Sequence, residues 1–203
     1  MTAAAVSAAH GMETVLVDKT GHVGGTTAIS GGMVWAPNCD FDAARADTPE
    51  RSAAYLAETV PTDDGEELRR TFLKTASEAI AYLQRNTAVQ LTPVPIYPDY
   101  YPDAVGATTN GRVLEPLPFD GRELGAAFDW LTPPLAEFTL FGGMMVARSD
   151  IPHFRNAYRS IRSAVRIIGL VLAYAFQRMS HHRGTDLVLG NALAGRLLKS
   201  LLD

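Results

Sequence analysis

Residues 12–38, METVLVDKTGHVGGTTAISGGMVWAPN, form the stretch on which the fold depends. The run 14–17 is apolar and mostly β-branched, which predicts a buried parallel strand, and Asp18 follows at its carboxyl end. Glycine pairs stand at 24–25 and 31–32, with hydroxyl side chains between them. Glycine allows the backbone to approach a flat, phosphate-bearing ligand closely, so these residues are candidates for ligand binding.

Each of these signals is weak when taken alone. An acid at the end of a strand can accept hydrogen bonds from ribose hydroxyls in a dinucleotide-binding unit, but many buried strands end in Asp by chance. A single glycine pair is more often a turn than a cofactor site. The combination in one continuous string is more specific than its parts.

The string GGTTAISGGMVWAPN resembles the FAD-binding region of flavoproteins that include the 3-ketosteroid Δ1-dehydrogenases and the fumarate reductase flavoprotein subunits. It is most similar to the ketosteroid dehydrogenase branch. The resemblance implies an α/β fold, a partial Rossmann-like FAD-binding domain with helical insertions. The cofactor-binding residues that it implies are Asp18, Lys19, Gly24, Gly25, Thr26, Thr27, Ser30, Gly31 and Gly32.

The alanine-rich residues 2–10 predict a helix, with Gly11 where a C-cap would lie. In a Rossmann-type unit, this crossover helix follows a first strand and a G-x-G-x-x-G turn that binds the pyrophosphate. Neither feature precedes the helix here. We therefore expect an incomplete domain, a fragment of a longer family member, in which truncation leaves surfaces exposed for association.

Residues 96–103, IYPDYYPD, form a second informative stretch. Its prolines exclude a regular helix, so an extended segment or turns are expected. The tyrosines could simply pack this loop against the core. A phenol that is desolvated and hydrogen-bonded to another phenol could instead take part in proton transfer. The family resemblance implies Tyr97 as an aromatic wall of the substrate pocket and Tyr100 as a catalytic tyrosine assisting the base, with Tyr101 as the substrate-side alternative.

Further elements follow from periodicity and capping signals. Helices are predicted over about 49–60 and 66–86, and a longer helical region over 150–181 that is interrupted near Gly169. The apolar stripe of this last region predicts core packing, and Arg112 and Arg122 are expected in surface salt bridges. The run RGTDLVLGNAL at 183–193 resembles a family motif that leads into a helix capped near Asn191. We divide the chain into a partial FAD-binding domain at 1–92, a substrate-side region at 93–149 and a returning helical segment at 150–203.

The composition excludes several classes of function. A net charge of -4 without a basic stripe gives no case for nucleic-acid binding. The single Cys39 cannot form an internal disulfide, which fits a cytoplasmic location, and no residues have metal-ligand spacing. The most apolar run is too short to cross a bilayer.

The resemblance implies a reaction in which a 3-ketosteroid loses a proton from C2 and a hydride from C1, with the hydride passing to FAD. Of the catalytic residues of that family, only the assisting tyrosine has a counterpart here, Tyr100. Two alternatives stay open: a fumarate reductase-like enzyme that acts on a dicarboxylate, and a non-catalytic remnant that does not bind FAD.

Overall fold

The structure is a computed structural model and describes residues 1–41, 47–60 and 65–203. The α-helices in this part of the chain are α1 (Thr2–Ala9), α2 (Gly25–Ala28), α3 (Pro49–Thr59), α4 (Glu66–Asn86), α5 (Ile151–Arg155), α6 (Ile161–Gln177) and α7 (Leu189–Leu202). The strands are β1 (Val34–Trp35), β2 (Leu91–Pro93), β3 (Val113–Pro116), β4 (Phe119–Asp120), β5 (Thr139–Leu140), β6 (Met144–Met145) and β7 (Asp186–Leu187). The predicted α/β class is therefore confirmed.

All ladders between the named strands are antiparallel, in the order β1-β3-β2, β4-β7 and β5-β6. The prediction of a buried parallel strand at 14–17 is wrong. These residues belong to no strand, and Val15 and Val17 are 82% and 83% exposed. A strand exists only through its ladder partners, and residues 14–17 pair with nothing in the described part of the chain. Apolar, β-branched composition alone could not supply those partners.

One compact unit comprises Met1, Val15–Gly32 and Leu117–Asp203. Its core packs one face of α7 against 3₁₀ turns in Gly121–Trp130 and against the strand pair β4-β7. Phe119, Phe128 and Leu187 are central to this core, and Ala192 and Ala194 allow α7 to approach closely. The small residues of α7 thus let the larger side chains of this core pack close to the helix.

The other compact unit comprises Thr2–Thr14 and Met33–Pro116. Its three-stranded sheet places Leu114 of β3 at full burial, and α1 and α3 pack against α4. The start of α3 is capped by the Thr48 hydroxyl, which accepts a hydrogen bond from the Arg51 backbone N–H at 3.2 Å. The division of the sequence at 1–92, 93–149 and 150–203 was made by expected function, and the compact units do not test it. It stays a prediction.

The predicted bounds of α4 are confirmed, but its buried face is narrower than its apolar pattern. Ala76 and Ile80 are buried, whereas Leu68 is 74% exposed. In the 150–181 region, α6 runs without interruption through Gly169, and the break lies between α5 and α6. Residues 157–160 there form a turn that ends at Ser160, whose hydroxyl caps α6. The apolar stripe of α6 is exposed, so the prediction that it belongs to the core is wrong.

Candidate functional site

The glycine-rich segment forms a short helical turn, α2, entered through Gly24 at φ +111°. A Cβ on Gly24 would lie 2.8 Å from the Ala28 Cβ, and one on Gly32 would lie 2.5 Å from the Gly190 backbone nitrogen. Both glycines also have positive φ. Packing and backbone conformation within the protein therefore explain Gly24 and Gly32 without a ligand.

Gly25 and Gly31 differ from the other two glycines in the space beside them, although Gly25 also has a positive φ, +49°. A Cβ added to either would meet nothing within 4 Å. Within the described chain, the hydroxyls of Thr26 and Thr27 form no hydrogen bond, whereas the Ser30 hydroxyl donates to the Thr27 carbonyl at 2.9 Å. The segment thus presents open backbone and unused hydroxyls, which suit a phosphate-bearing ligand. Ser30 is occupied in holding the turn.

Asp18 lies in the same compact unit as this segment. Hydrogen bonds from the Thr20 backbone N–H (2.9 Å) and hydroxyl (3.0 Å) lower the pKa of Asp18. The carboxylate is fully exposed and ionised at neutral pH, so it can accept further hydrogen bonds. Lys19 beside it is also exposed.

The first residues of α7 contact the glycine-rich segment and hold its backbone in place. Sequence analysis did not predict this role. The Gly190 backbone N–H donates to the Ser30 carbonyl at 3.0 Å, and a Cβ at Gly190 would overlap the Thr27 carbonyl oxygen. The buried Asn191 amide donates to the Ala28 carbonyl at 3.2 Å. Because α7 begins at Leu189, Asn191 lies inside its first turn, and the prediction that the helix is capped near Asn191 is wrong. The motif at 183–193 was the sequence signal for this helix, but the spacing of its residues could not show which segment the helix contacts.

Arg183 of the same motif holds Asn191 in place. Its guanidinium donates to the Asn191 Oδ1 at 3.0 Å and to the Leu131 carbonyl at 3.3 Å, and it stacks over the Phe128 ring at 4.2 Å. Burial lowers the pKa of Arg183 to about 10, against an opposing effect of Asp129. The side chain therefore stays protonated at neutral pH and acts as a fixed donor.

The tyrosine-rich loop lies in the other unit. The Tyr97 backbone N–H donates to the Thr109 carbonyl at 2.8 Å, and that of Tyr101 donates to the Tyr55 hydroxyl at 3.2 Å. Tyr97 is half-buried, whereas Tyr100 is 92% exposed. Among the described residues, nothing hydrogen-bonds to the Tyr100 hydroxyl. The desolvation and phenol partner required for proton transfer are therefore not supplied by this part of the chain.

Tyr100 and Tyr101 line an open cavity of about 530 Å³ together with Glu58, Thr59 and Asp103. A second cavity, of about 480 Å³, lies in the unit that contains the glycine-rich segment. Most of its lining residues are apolar (Phe138, Leu140, Val146, Ile151, Phe154 and Leu189), and Glu137, Thr139 and Arg155 complete the lining. No sequence signal pointed to this second cavity, because its lining comes from separated elements.

Asp99 anchors the loop between Tyr97 and Tyr100. Its carboxylate accepts hydrogen bonds from the Arg112 guanidinium at 2.7 Å, the Trp35 indole at 2.8 Å and the Thr108 backbone N–H at 2.9 Å. Arg112 also pairs with Asp47 at 2.7 Å. Arg112 is 1% exposed, so the expected surface salt bridge is wrong for this residue. The prediction is confirmed for Arg122, which pairs with Asp120 at the surface.

In the described ranges, His, Cys, Asp and Glu side chains form no group of three that could hold a metal ion. Among the described residues, no helix combines the length and apolar character needed to cross a bilayer.

An α/β unit with an exposed, ionised acid, open glycines and unused hydroxyls on a tight turn defines a candidate nucleotide-cofactor-binding protein. The model of the family described as "FAD binding domain" matches residues 1–203. The chain belongs to this FAD-binding family, as the resemblance implied, and FAD is its cofactor.

Curated relatives extend the match. The chain is 32% identical over 203 residues to a 4-oxocyclohex-2-ene-1-carboxylate 5-dehydrogenase of Sinomonas cyclohexanicum, covering 100% of this chain and 34% of that protein. It is 34% identical over 200 residues to a 3-oxosteroid 1-dehydrogenase of Mycobacterium tuberculosis, covering 97% and 35%. The chain thus spans about a third of the length of the relatives that it matches.

A solved structure agrees with these relatives. The crystal structure of 3-ketosteroid Δ1-dehydrogenase from Sterolibacterium denitrificans, in complex with 1,4-androstadiene-3,17-dione, matches with a TM-score of 0.87 and 29% identity. The match covers 99% of this chain and 36% of that one. Both the fold and the sequence therefore relate the chain to this group of flavoproteins.

Proposed function

We propose that the chain provides the FAD-binding part of a dehydrogenase that desaturates a ring ketone, with a 3-ketosteroid as the substrate class. The observation that carries the proposal is the turn at 25–31, which has open backbone and unused hydroxyls and is supported by α7. Two relatives are dehydrogenases named for oxo-substituted rings, one cyclohexenoid and one steroid, which supports this choice of substrate chemistry.

Several residues would hold the cofactor. The Asp18 carboxylate would accept hydrogen bonds from the ribose, with Lys19 adding a positive charge beside it. The hydroxyls of Thr26 and Thr27 and the backbone at Gly25 and at Gly31 would bind the phosphates. Gly24, Ser30 and Gly32 would act indirectly, by giving the turn its shape. When bound, FAD would supply the redox chemistry by accepting a hydride.

On the substrate side, Tyr100 would assist the base that takes the proton beside the ring carbonyl, and Tyr97 and Tyr101 would contact the ring system. Asp99 and Arg112 favour this assignment because they fix the backbone between Tyr97 and Tyr100. The full reaction also needs a base and groups that polarise the ketone. The buried thiol of Cys39 is compatible with a reducing compartment, so we infer a cytoplasmic site of action.

The first experiment is the visible absorption spectrum of the purified 203-residue chain with and without added FAD. We expect flavin bands that are shifted from those of free FAD and stay with the protein through gel filtration. Thr26→Val should weaken FAD binding by about tenfold, because a hydrogen bond to a charged phosphate is lost. Thr75→Val on α4 is the matched control and should bind FAD as the unaltered chain does. Colourless protein would contradict the proposal and favour a non-catalytic remnant.

The substrate class is tested on the FAD-loaded chain by the change in its flavin spectrum on adding 1,4-androstadiene-3,17-dione. Tyr97→Leu should weaken this response several-fold, since a buried aromatic contact is lost. Tyr158→Leu, at an exposed tyrosine, is the control. A response to fumarate in place of the steroid would instead favour a fumarate reductase-like enzyme.

A further inference from the structure

Helix α6 carries a continuous row of exposed apolar side chains, which we name the α6 stripe. Its members recur every three or four residues and therefore lie on one face of the helix. They are Ile161, Val165, Ile168, Leu172 and Phe176, with Met179 just beyond the helix end. Their exposed fractions lie between 57% and 86%, and soluble domains rarely leave so continuous an apolar row unused.

The opposite face of α6 is fixed to the protein. Arg166 forms two hydrogen bonds with the Asp150 carboxylate, at 2.7 and 3.0 Å. The buried Tyr174 donates its hydroxyl to the Phe141 carbonyl at 3.0 Å, and Ser163 is also buried. The helix is therefore held in a defined rotation, and the α6 stripe faces outwards as a consequence of that packing.

The charged side chains of the segment that carries the α6 stripe are of one sign, and the acids that contact α6, Asp150 through Arg166 and Asp186 through Gln177, lie just outside this segment. Residues 151–185 contain no Asp or Glu, although the whole chain has a net charge of -4. The arginines in this segment are Arg155, Arg159, Arg162, Arg166, Arg178 and Arg183. Arg155, Arg159 and Arg162 are exposed and form no ion pair with any residue in the described ranges. A locally basic surface therefore borders the apolar face in an otherwise acidic chain.

We propose that the α6 stripe docks on an anionic phospholipid surface. The helix lies in the plane of the interface, with its apolar side chains among the acyl chains and Arg155, Arg159 and Arg162 at the headgroup phosphates. Charge separates this occupant from a second copy of the chain. Two α6 stripes packed together would bring the arginines of both copies close to one another, and like charges repel. A surface of lipid phosphates is complementary to them.

The test is co-sedimentation of the full 203-residue chain with vesicles of phosphatidylcholine mixed with phosphatidylglycerol and with vesicles of phosphatidylcholine alone. We expect binding to the anionic vesicles that weakens with added salt, and much weaker binding to the neutral ones. Arg159→Gln and Arg162→Gln should each lower the partition coefficient by about fivefold. Leu172→Ser should lower it by at least tenfold. Leu68→Ser, at an equally exposed leucine on α4, is the matched control and should change nothing.

The outcomes that would overturn the proposal are distinct. Equal binding to neutral and anionic vesicles would show that the arginines do not contribute to binding. Normal binding by the Leu172→Ser chain would show that the α6 stripe does not contribute. Light scattering without vesicles tests the second copy: a dimer that Leu172→Ser dissociates would assign the stripe to self-association. Circular dichroism of each variant shows that α6 is retained, and hydrogen exchange of α6 with and without vesicles gives an independent measure of contact.

Discussion

Arg183 is a buried cation whose direct hydrogen-bond partners are neutral. It donates to an amide and a carbonyl and stacks on Phe128, so its charge is balanced by dipoles and an aromatic face rather than by a carboxylate in contact. Through Asn191, it connects the 183–193 motif to the Ala28 carbonyl in α2. A lysine could not supply the same planar set of donors.

Asn191→Ala should lower the free energy of unfolding by about 2–4 kcal/mol, because the Arg183 guanidinium and two buried carbonyl groups lose their partner. Urea unfolding followed by circular dichroism measures the change. Asn156→Ala removes an amide that donates to the Pro152 carbonyl at an exposed site, and should cost well under about 1 kcal/mol. Equal losses in the two variants would show that Asn191 is not a central contact.

The stability that Cys39 contributes is predicted to depend on pH. Burial raises the pKa of its thiol from 9.0 to about 11. The unfolded thiol ionises first as the pH rises above 9, so the stability that Cys39 contributes is lost between pH 9 and 11. The difference in free energy of unfolding between the unaltered chain and Cys39→Ala, measured at several pH values across that window, should therefore shrink by at least about 1.4 kcal/mol, the equivalent of one pKa unit. A constant difference across the window would contradict a buried, neutral thiol.

Among the secondary-structure elements, the two helices α6 and α7 differ in how their glycines affect stability. Gly190 in α7 is in contact with the Thr27 carbonyl and the Ser30 backbone, while Gly169 in α6 has nothing within 4 Å of its missing Cβ. Glycine is therefore required in the first turn of α7 and merely tolerated in the middle of α6.

We expect Gly190→Ala to destabilise the chain by more than about 3 kcal/mol, because the added methyl displaces the glycine-rich turn. Gly169→Ala should stabilise it by about 0.5–1 kcal/mol through the higher helix propensity of alanine. Thermal unfolding of both variants measures the opposite signs. FAD binding should be weakened only in Gly190→Ala.

Elements differ in how far sequence patterns determined them. The bounds of α4 followed from the helical spacing of its apolar residues, because a helix satisfies its own backbone hydrogen bonds. The run 14–17 had an equally clear pattern and formed no strand, because a strand depends on partners elsewhere. Proline content correctly excluded a regular helix from the tyrosine loop, but the exposure of Tyr100 depends on packing that composition does not encode.

At the scale of the molecule, the buried polar network around Arg112 joins segments that are far apart in the described chain. It joins Trp35, Asp47 and Asp99, which are far apart in the sequence, within one compact unit. The guanidinium also lies over the Trp35 ring at 5.8 Å. A network of this kind is a strong test of the fold, since it exists only if every contributing segment is in place.

Arg112→Gln should lower the free energy of unfolding by about 3–5 kcal/mol, because it leaves two buried carboxylates without their cation. Arg122→Gln breaks an exposed pair with Asp120 and should cost less than about 1 kcal/mol. Urea unfolding of both variants measures the difference. Similar small losses would mean that the buried network does not form as described.

The sequence by itself determined the family, the cofactor class, the glycine-rich segment and the longer helices, because these depend on local patterns and on a motif string that is specific when it is continuous. Tertiary structure decided that Gly24 and Gly32 serve packing while Gly25 and Gly31 face open space. It also decided that Arg112 is buried and that the α6 stripe is exposed. The physical reason is that periodicity shows which residues share a face, whereas burial depends on which distant segments come to cover that face.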